Sequence, residues 1–283
     1  MPFPRTEIEG ISLPRMLVGI NWFMGFSHQT GAKDRLIKDY QTREKLADVI
    51  EVFARAGVDA VYGVVDEWQM LRSAIADAED RTGGKITTIA VPTLEPDGTP
   101  EAADANARIL DSHAATGATF CLPHQATTDA LLDRKTRSIP GMDTICRMIR
   151  ERGMIPGLST HMPETPVYAD ESALDVATYV QIYNAAGFLM QIEVDWIHRS
   201  IQNAGKPVIC IKPMAAGRLH PLVAMAFVWS TIRDRDLVCV GTMTPDEARE
   251  LIDLSLSLLQ RRGSGLQLQR TRSKASVERG DDV

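Results

Sequence analysis

No stretch of the chain approaches the ~18 consecutive apolar residues that a membrane-spanning helix requires, so no membrane partner is expected. A block of Lys or Arg is also missing. With 31 basic against 37 acidic residues and a net charge of -6, a nucleic-acid footprint or polybasic anchor is not expected either. Cysteine is scarce. Cys121, Cys146, Cys210 and Cys239 form no CxxC pair, and three of the four sit in apolar strand-like runs where a free thiol behaves as a small hydrophobe. This pattern predicts a reducing compartment and no metal cluster. The opening MPFPRTEIEG has prolines and charges where a secretory signal has an apolar core, so the expected location is cytoplasmic. Neither HxH nor HExxH occurs, and no GxGxxG follows the first predicted strand, which counts against an open, doubly wound nucleotide-binding sheet. The expected partner is a small-molecule substrate, with a homo-oligomer left open.

What the chain does contain is a repeated strand-then-loop unit, clearest in KPVICIKPMAAGRL from Lys206 to Leu219. Val208 to Ile211 is a β-rich apolar run between Pro207 and Pro213, read as a strand buried on both faces that delivers Lys212 at its C-terminal end. Ala215, Ala216 and Gly217 follow with almost no side chain, so a ligand could approach the backbone there. In chain order, Thr6 to Arg15 reads as a hairpin around Gly10 and Met16 to Asn21 as the first buried strand. Residues 22–41 read as a long loop carrying Trp22, Phe23, Phe26, His28 and Lys33, of a length usually reserved for lids. Thr42 caps a helix running to about Ala56. Further strands are expected at 59–65, 86–91, 118–122, 154–158, 177–182, 208–211 and 237–240. Helices begin at Thr99-Pro100 and at the capping box Thr244-Pro245-Asp246-Glu247. In 176–205, apolar residues at Met190, Val194, Ile197 and Ile201 recur at helical spacing, with Ile192 and Trp196 as a second row, so this stretch reads as a strand at 177–182 followed by a helix.

About eight alternations of strand and helix in 283 residues predict a single (β/α)8 TIM barrel over residues 1–262, with an N-terminal hairpin at 1–15 and a polar C-terminal tail at 263–283. In such a barrel the C-terminal strand ends share one mouth. That places together Asn21, Trp22 and the loop's His28, then Asp66, Glu95, His124, His161, Tyr183, Asn184, Lys212 and Thr242. His124 and His161 suit acid–base work near neutral pH, or metal ligation together with Asp66. Lys212 suits a Schiff base or polarisation of a carbonyl, because burial lowers a lysine pKa. A salt bridge from Lys212 to Asp66 or Glu95 is the structural alternative. Tyr62 could stack on a ligand or pack in the barrel, while His113 and His198 read as surface or packing residues.

Several of these stretches resemble the aldo-keto reductase superfamily. The hairpin looks like that family's barrel-bottom plug, GLSTH at 157–161 is similar to its G-x-S-N segment, and VQIYN at 180–184 to its sixth strand. KPMAAGRL is similar to its loop after strand seven, and VGTMTPDEAREL at 240–251 to its closing segment. The resemblance implies a carbonyl-reducing barrel using NADP(H). The catalytic pattern departs from it: Tyr62 stands where the family has its catalytic Asp, Pro92 or Thr93 stands where it has a Lys, and the active-site Tyr has no counterpart. Only the His survives, as His124. At the cofactor end Gly241, Thr242, Glu247 and Leu251 occupy the phosphate-binding positions, with an acid in place of an Arg.

The sequence therefore supports a divergent barrel enzyme acting on a small carbonyl or sugar-like substrate. Here His124 and Lys212 polarise the oxygen, His161 or Asp66 moves the proton, and Asn21, Trp22, His28, Tyr183, Asn184, Ala216, Gly217 and Thr242 line the binding site. A divalent-metal hydrolase, lyase or isomerase built on His124, His161 and Asp66 is one alternative. A non-catalytic ligand-binding barrel is the other.

Overall fold

Short apolar runs rich in Val, Ile and Leu, each stopped by Gly or Pro, become parallel strands that are buried on both faces. A computed structural model describes residues 2–65 and 68–265. Its main sheet has nine strand segments: Met16–Gly19, Ala60–Val64, Thr87–Ala90, Phe120–Cys121, Ile155–Pro156, Leu158–Ser159, Tyr179–Ile182, Val208–Ile211 and Leu237–Val240. The two segments flanking Gly157 are halves of one strand. Ile155–Pro156 pairs with the fourth strand and Leu158–Ser159 with the sixth, which closes the ring as a TIM barrel.

Alternation along the strands sorts the apolar residues into two cores. Leu17, Ala60, Ile89, Phe120, Val180, Ile209 and Leu237 form an inner cluster. Ile8 and Leu13 of the antiparallel hairpin Arg5–Ile8/Ile11–Pro14 join it, so the hairpin plugs the barrel bottom as the resemblance implied. Met16, Val18, Val61, Val208, Cys210 and Val238 belong to the outer cluster, with Leu46, Ile50 and Phe53 of the helix Arg43–Arg55. Each such side chain contributes ~1.5–3 kcal/mol on burial, so the two layers carry most of the stabilisation.

The capping signals are realised. Thr42 accepts from Lys45 N–H and Thr99 from Ala102 N–H, and Thr244 and Glu247 form a reciprocal capping box on the helix Pro245–Gln260. Two expectations change. Residues 22–41 form no open loop but fold as Asn21–Met24 and Gly31–Tyr40, the second capped by Thr30 and anchored by buried Ile37. The helix after the sixth strand begins only at Val194; Met190 packs on the core from the preceding turns, while Ile192 and Trp196 are exposed. The physical reason is that the core receives one row only, Ile197 and Ile201. Of the polar tail, 263–265 are described, with Gly265 N–H donating to Asp253; the rest lies outside the described residues. No helix among the described residues is long and apolar enough to cross a membrane.

One polar clip ties the seventh and eighth strands. Asp236, fully buried, accepts from Val208 N–H at 2.9 Å, Arg233 N–H at 2.9 Å and the Arg233 guanidinium at 2.7 and 2.8 Å. Truncating one partner of such a network leaves the other charge uncompensated. Asp236→Ala is therefore expected to cost about 3–5 kcal/mol in urea unfolding. Gly157→Ala is a second check on the closure, since its Cβ would sit 2.8 Å from Thr178 Cγ2 and 2.9 Å from both Leu122 Cγ and Thr178 O. It should lose about 1–3 kcal/mol by overpacking, and an unchanged midpoint would contradict the closure described.

Candidate functional site

The C-terminal ends of the strands surround a cleft of about 960 Å3, a size suited to a small-molecule ligand. Asn21, Trp22, His28, His124, His161, Lys212, Ala216, Gly217 and Thr242 all line it. They arrive from strands one, four, five, seven and eight, which are far apart in sequence.

Lys212 reaches the mouth through backbone strain. In the seventh strand Ile209 points into the barrel, so continued alternation would send Lys212 toward the helices. Its φ is +57°, where an extended residue has about -120°. Rotation of about half a turn around N–Cα swings the side chain to the other face. Ala215 and Ala216 also hold positive φ, at 50° and 55°, so the turn stores strain at the site. The turn is braced by Gln29, whose side-chain amide donates to Ala216 O at 2.6 Å.

The electrostatics follow from crowding basic groups. Burial lowers the Lys212 amine to about 8, against a smaller opposing effect of Cys239, and no described carboxylate acts on it. Of the alternative bridges to Asp66 or Glu95, the one to Glu95 is not formed, for Glu95 is exposed and outside the lining, and Asp66 lies outside the described residues. His161 falls to about 4 through burial, then the charge of Lys212, then His124 and His28. His124 and His28 are lowered by burial and then by Lys212. All three imidazoles are thus held neutral at pH 7. His124 Nδ1 accepts from Ala126 N–H at 3.3 Å, which assigns the ring proton to Nε2 and makes that nitrogen a donor. The His161 backbone N–H donates to Asp129, whose carboxylate also takes the Thr160 hydroxyl, fixing the loop after strand five.

Tyr62, for which the sequence left ligand stacking and barrel packing open, belongs to the cleft, its hydroxyl 3.2 Å from Ser159 Oγ and held protonated by burial. Sequence reasoning missed two further lining residues. Cys239 lines it too, and its inward parity with Leu237 was the available signal. His113, buried on the helix Pro100–Ala115, lines the cleft rather than only packing. Of the lid aromatics, Trp22 and Phe26 face the cleft while Phe23 is buried in the outer core.

Two expected site residues lie elsewhere. Tyr183 shares the outward parity of Tyr179, packs tilted against Phe227 with ring centroids 5.0 Å apart, and its hydroxyl lies 3.3 Å from His198 Nδ1. Asn184 spends both amide atoms on Phe188, holding the turn after strand six. Asp66 lies outside the described residues. Among the described residues no three His, Cys, Asp or Glu groups are arranged to hold a metal, so no step is routed through one.

The far end of the cleft tests the cofactor that the fold implies. Glu247 accepts from Met243 N–H at 2.6 Å and Thr244 N–H at 3.2 Å, filling with its own carboxylate the amides that a phosphate would use. Glu250 adds a second acid to the wall. The 2′-phosphate of NADP(H) does not fit there.

Charge burial has a measurable signature. Unfolded His161 titrates near 6.5 and folded His161 near 4, so between these values the unfolded state holds the extra proton. Stability should fall by up to about 3 kcal/mol as pH drops from 6.5 to 4, and His161→Gln should flatten that slope in denaturant titrations. Lys212 is lowered from 10.5 to about 8, so stability falls as pH drops between those values and the loss is complete below about 8. Lys212→Met is expected to raise stability by about 1–3 kcal/mol at pH 7, and a loss would contradict the burial described.

No family model and no curated protein matches the sequence. Solved structures do resemble it. A putative aldo-keto reductase from Pseudomonas aeruginosa is 14% identical, covers 90% of this chain and 95% of its own, and has a TM-score of 0.64. The aldose reductase of Giardia lamblia is 11% identical over 98% and 91%, with a TM-score of 0.53. BexX of Amycolatopsis orientalis, solved in complex with CysO, is 19% identical over 95% and 99%, also at 0.53. At these identities the likeness is one of fold, and the chain has the barrel architecture found in aldo-keto reductases.

Proposed function

We propose that the chain is a barrel enzyme acting on a small carbonyl or sugar-like substrate in this cleft. The observation that carries the reading is the convergence of His28, His124, His161 and Lys212 on one cavity, three of them neutral at pH 7. A carbonyl oxygen develops negative charge as its carbon is attacked, and donors aimed at it stabilise that charge. His124 Nε2–H and the Lys212 ammonium supply those donors. His161, lacking a proton down to about pH 4, accepts one from the substrate. Trp22 and Phe26 give the cleft an apolar wall that excludes water. The aldo-keto-reductase-like fold supports a reductase-like barrel, but the carboxylates of Glu247 and Glu250 disfavour NADP(H), so no hydride step is assigned.

The test is a panel of short aldehydes, 2-oxo acids and ketoses, followed by tryptophan fluorescence and turnover, with and without NADH and NADPH. Saturable quenching by a carbonyl compound at millimolar concentration or below is expected. His124→Ala should lower kcat/KM by roughly 10^2, with stability reduced by no more than the ~0.5–2 kcal/mol that losing its cap bond from Ala126 costs. A panel in which no carbonyl compound binds would overturn the reading.

A further inference from the structure

We infer that Lys212 is a covalent catalyst that forms an imine with the substrate carbonyl. The inference rests on the carbonyl reading above and chooses covalent chemistry over simple polarisation. Three independent observations carry it.

The first is the backbone. A left-handed non-glycine residue costs on the order of 1 kcal/mol and persists only where surrounding structure enforces it. At Lys212 the strain has one visible result, moving the amine from the helix face into the cleft. The second is the missing counter-ion. A lysine kept for stability would be paired, yet among the described residues no carboxylate acts on Lys212, and its surroundings are Cys239 and uncharged imidazoles. Such surroundings favour the free amine, which is the nucleophile. The third is the placement of proton carriers. His124 has its proton on the nitrogen not used by Ala126, and His161 has room to accept one.

The step balances without an oxidant or reductant. The neutral amine adds its lone pair to the carbonyl carbon and the C=O π pair moves to oxygen, which accepts a hydrogen bond from His124 Nε2–H. The nitrogen, now positively charged, passes one proton to His161, which returns it to the oxygen and so gives a neutral carbinolamine. The hydroxyl then takes a proton from solvent, the equivalent of the one Lys212 released on becoming the free amine, and leaves as water, so that an iminium remains on Lys212 and both imidazoles are neutral again. The iminium is an electron sink: a proton on the adjacent carbon can leave to neutral His161, giving an enamine. The substrate class is therefore a carbonyl compound bearing a C–H next to the carbonyl, and the reaction class is proton or carbon transfer at that position.

Borohydride trapping tests this on the full chain. The protein is incubated with dihydroxyacetone, glyceraldehyde or pyruvate at pH 7.5, reduced with sodium cyanoborohydride, digested and mapped by mass spectrometry. The expected result is one stoichiometric reduced adduct on the peptide holding Lys212. It should form on the order of 10^2-fold faster than adducts on exposed Lys38, Lys85 and Lys135, because a larger fraction of its amine is unprotonated at that pH. Its rate should rise with pH to a plateau past about 8. Lys212→Arg should abolish the adduct; Lys212→Met serves if the arginine variant fails to fold. Saturable quenching by a probe without preferential labelling of Lys212 would overturn the imine and leave the carbonyl site standing. Absence of both quenching and labelling would overturn the two together.

Discussion

Closure of the barrel at its fifth strand is the constraint on which the rest depends. Around Gly157 the chain bonds both ways: Ile155 N–H donates to Thr119, just ahead of the fourth strand, and Gly157 N–H to Cys121 within it, while Leu158 N–H donates to Thr178 ahead of the sixth. A side chain at Gly157 would strike both neighbours, so the two strands can approach only because it has none. Once the ring is closed, every strand has a fixed register and hence a fixed parity. A slip of one residue would exchange the inner and outer cores. His161 leaves this same strand, and Ser159 reaches across the mouth to Tyr62. The site inherits its geometry from the closure.

Within that frame the mouth is costly. Three non-glycine residues from Lys212 to Ala216 hold left-handed φ, and Lys212 shares one cleft with His28, His124 and His161. Burial depresses each of these groups, and Lys212 adds repulsion on all three imidazoles. A protein under selection for stability alone would relieve such a cluster. Its persistence on a rigid barrel is the pattern of a functional site whose strain is offset by packing elsewhere.

The opposite end of the cleft is set by a single acid. Glu247 serves as the third residue of a capping box, and its carboxylate fills the amides before the last helix. The barrel architecture is one found in aldo-keto reductases, and it leaves this end of the cleft to be decided by local side chains. Fold likeness does not fix cofactor choice, because the barrel is set by strand parity and the helix start by one side chain.

Much of this was legible in the sequence because it depends on local physics. Strand positions followed from β-rich runs between Gly and Pro, and helix starts from Thr42, Thr99 and Thr244, since a cap bonds within its own first turn. The candidates at strand ends were found for the same reason, a topological rule acting on each strand. Tyr183 was misplaced although the signal existed: Val180 faces inward, so Tyr183 must face out. Residues 22–41 were read as a loop because the anchor of their second helix is burial of Ile37 against distant residues, which composition does not display. The sequence by itself determined the barrel, its hairpin plug and the residue types at the mouth. Only the tertiary structure decided that Lys212 turns inward and that three histidines share its field. Those outcomes rest on backbone strain and on charges brought together across the ring, which no local pattern encodes.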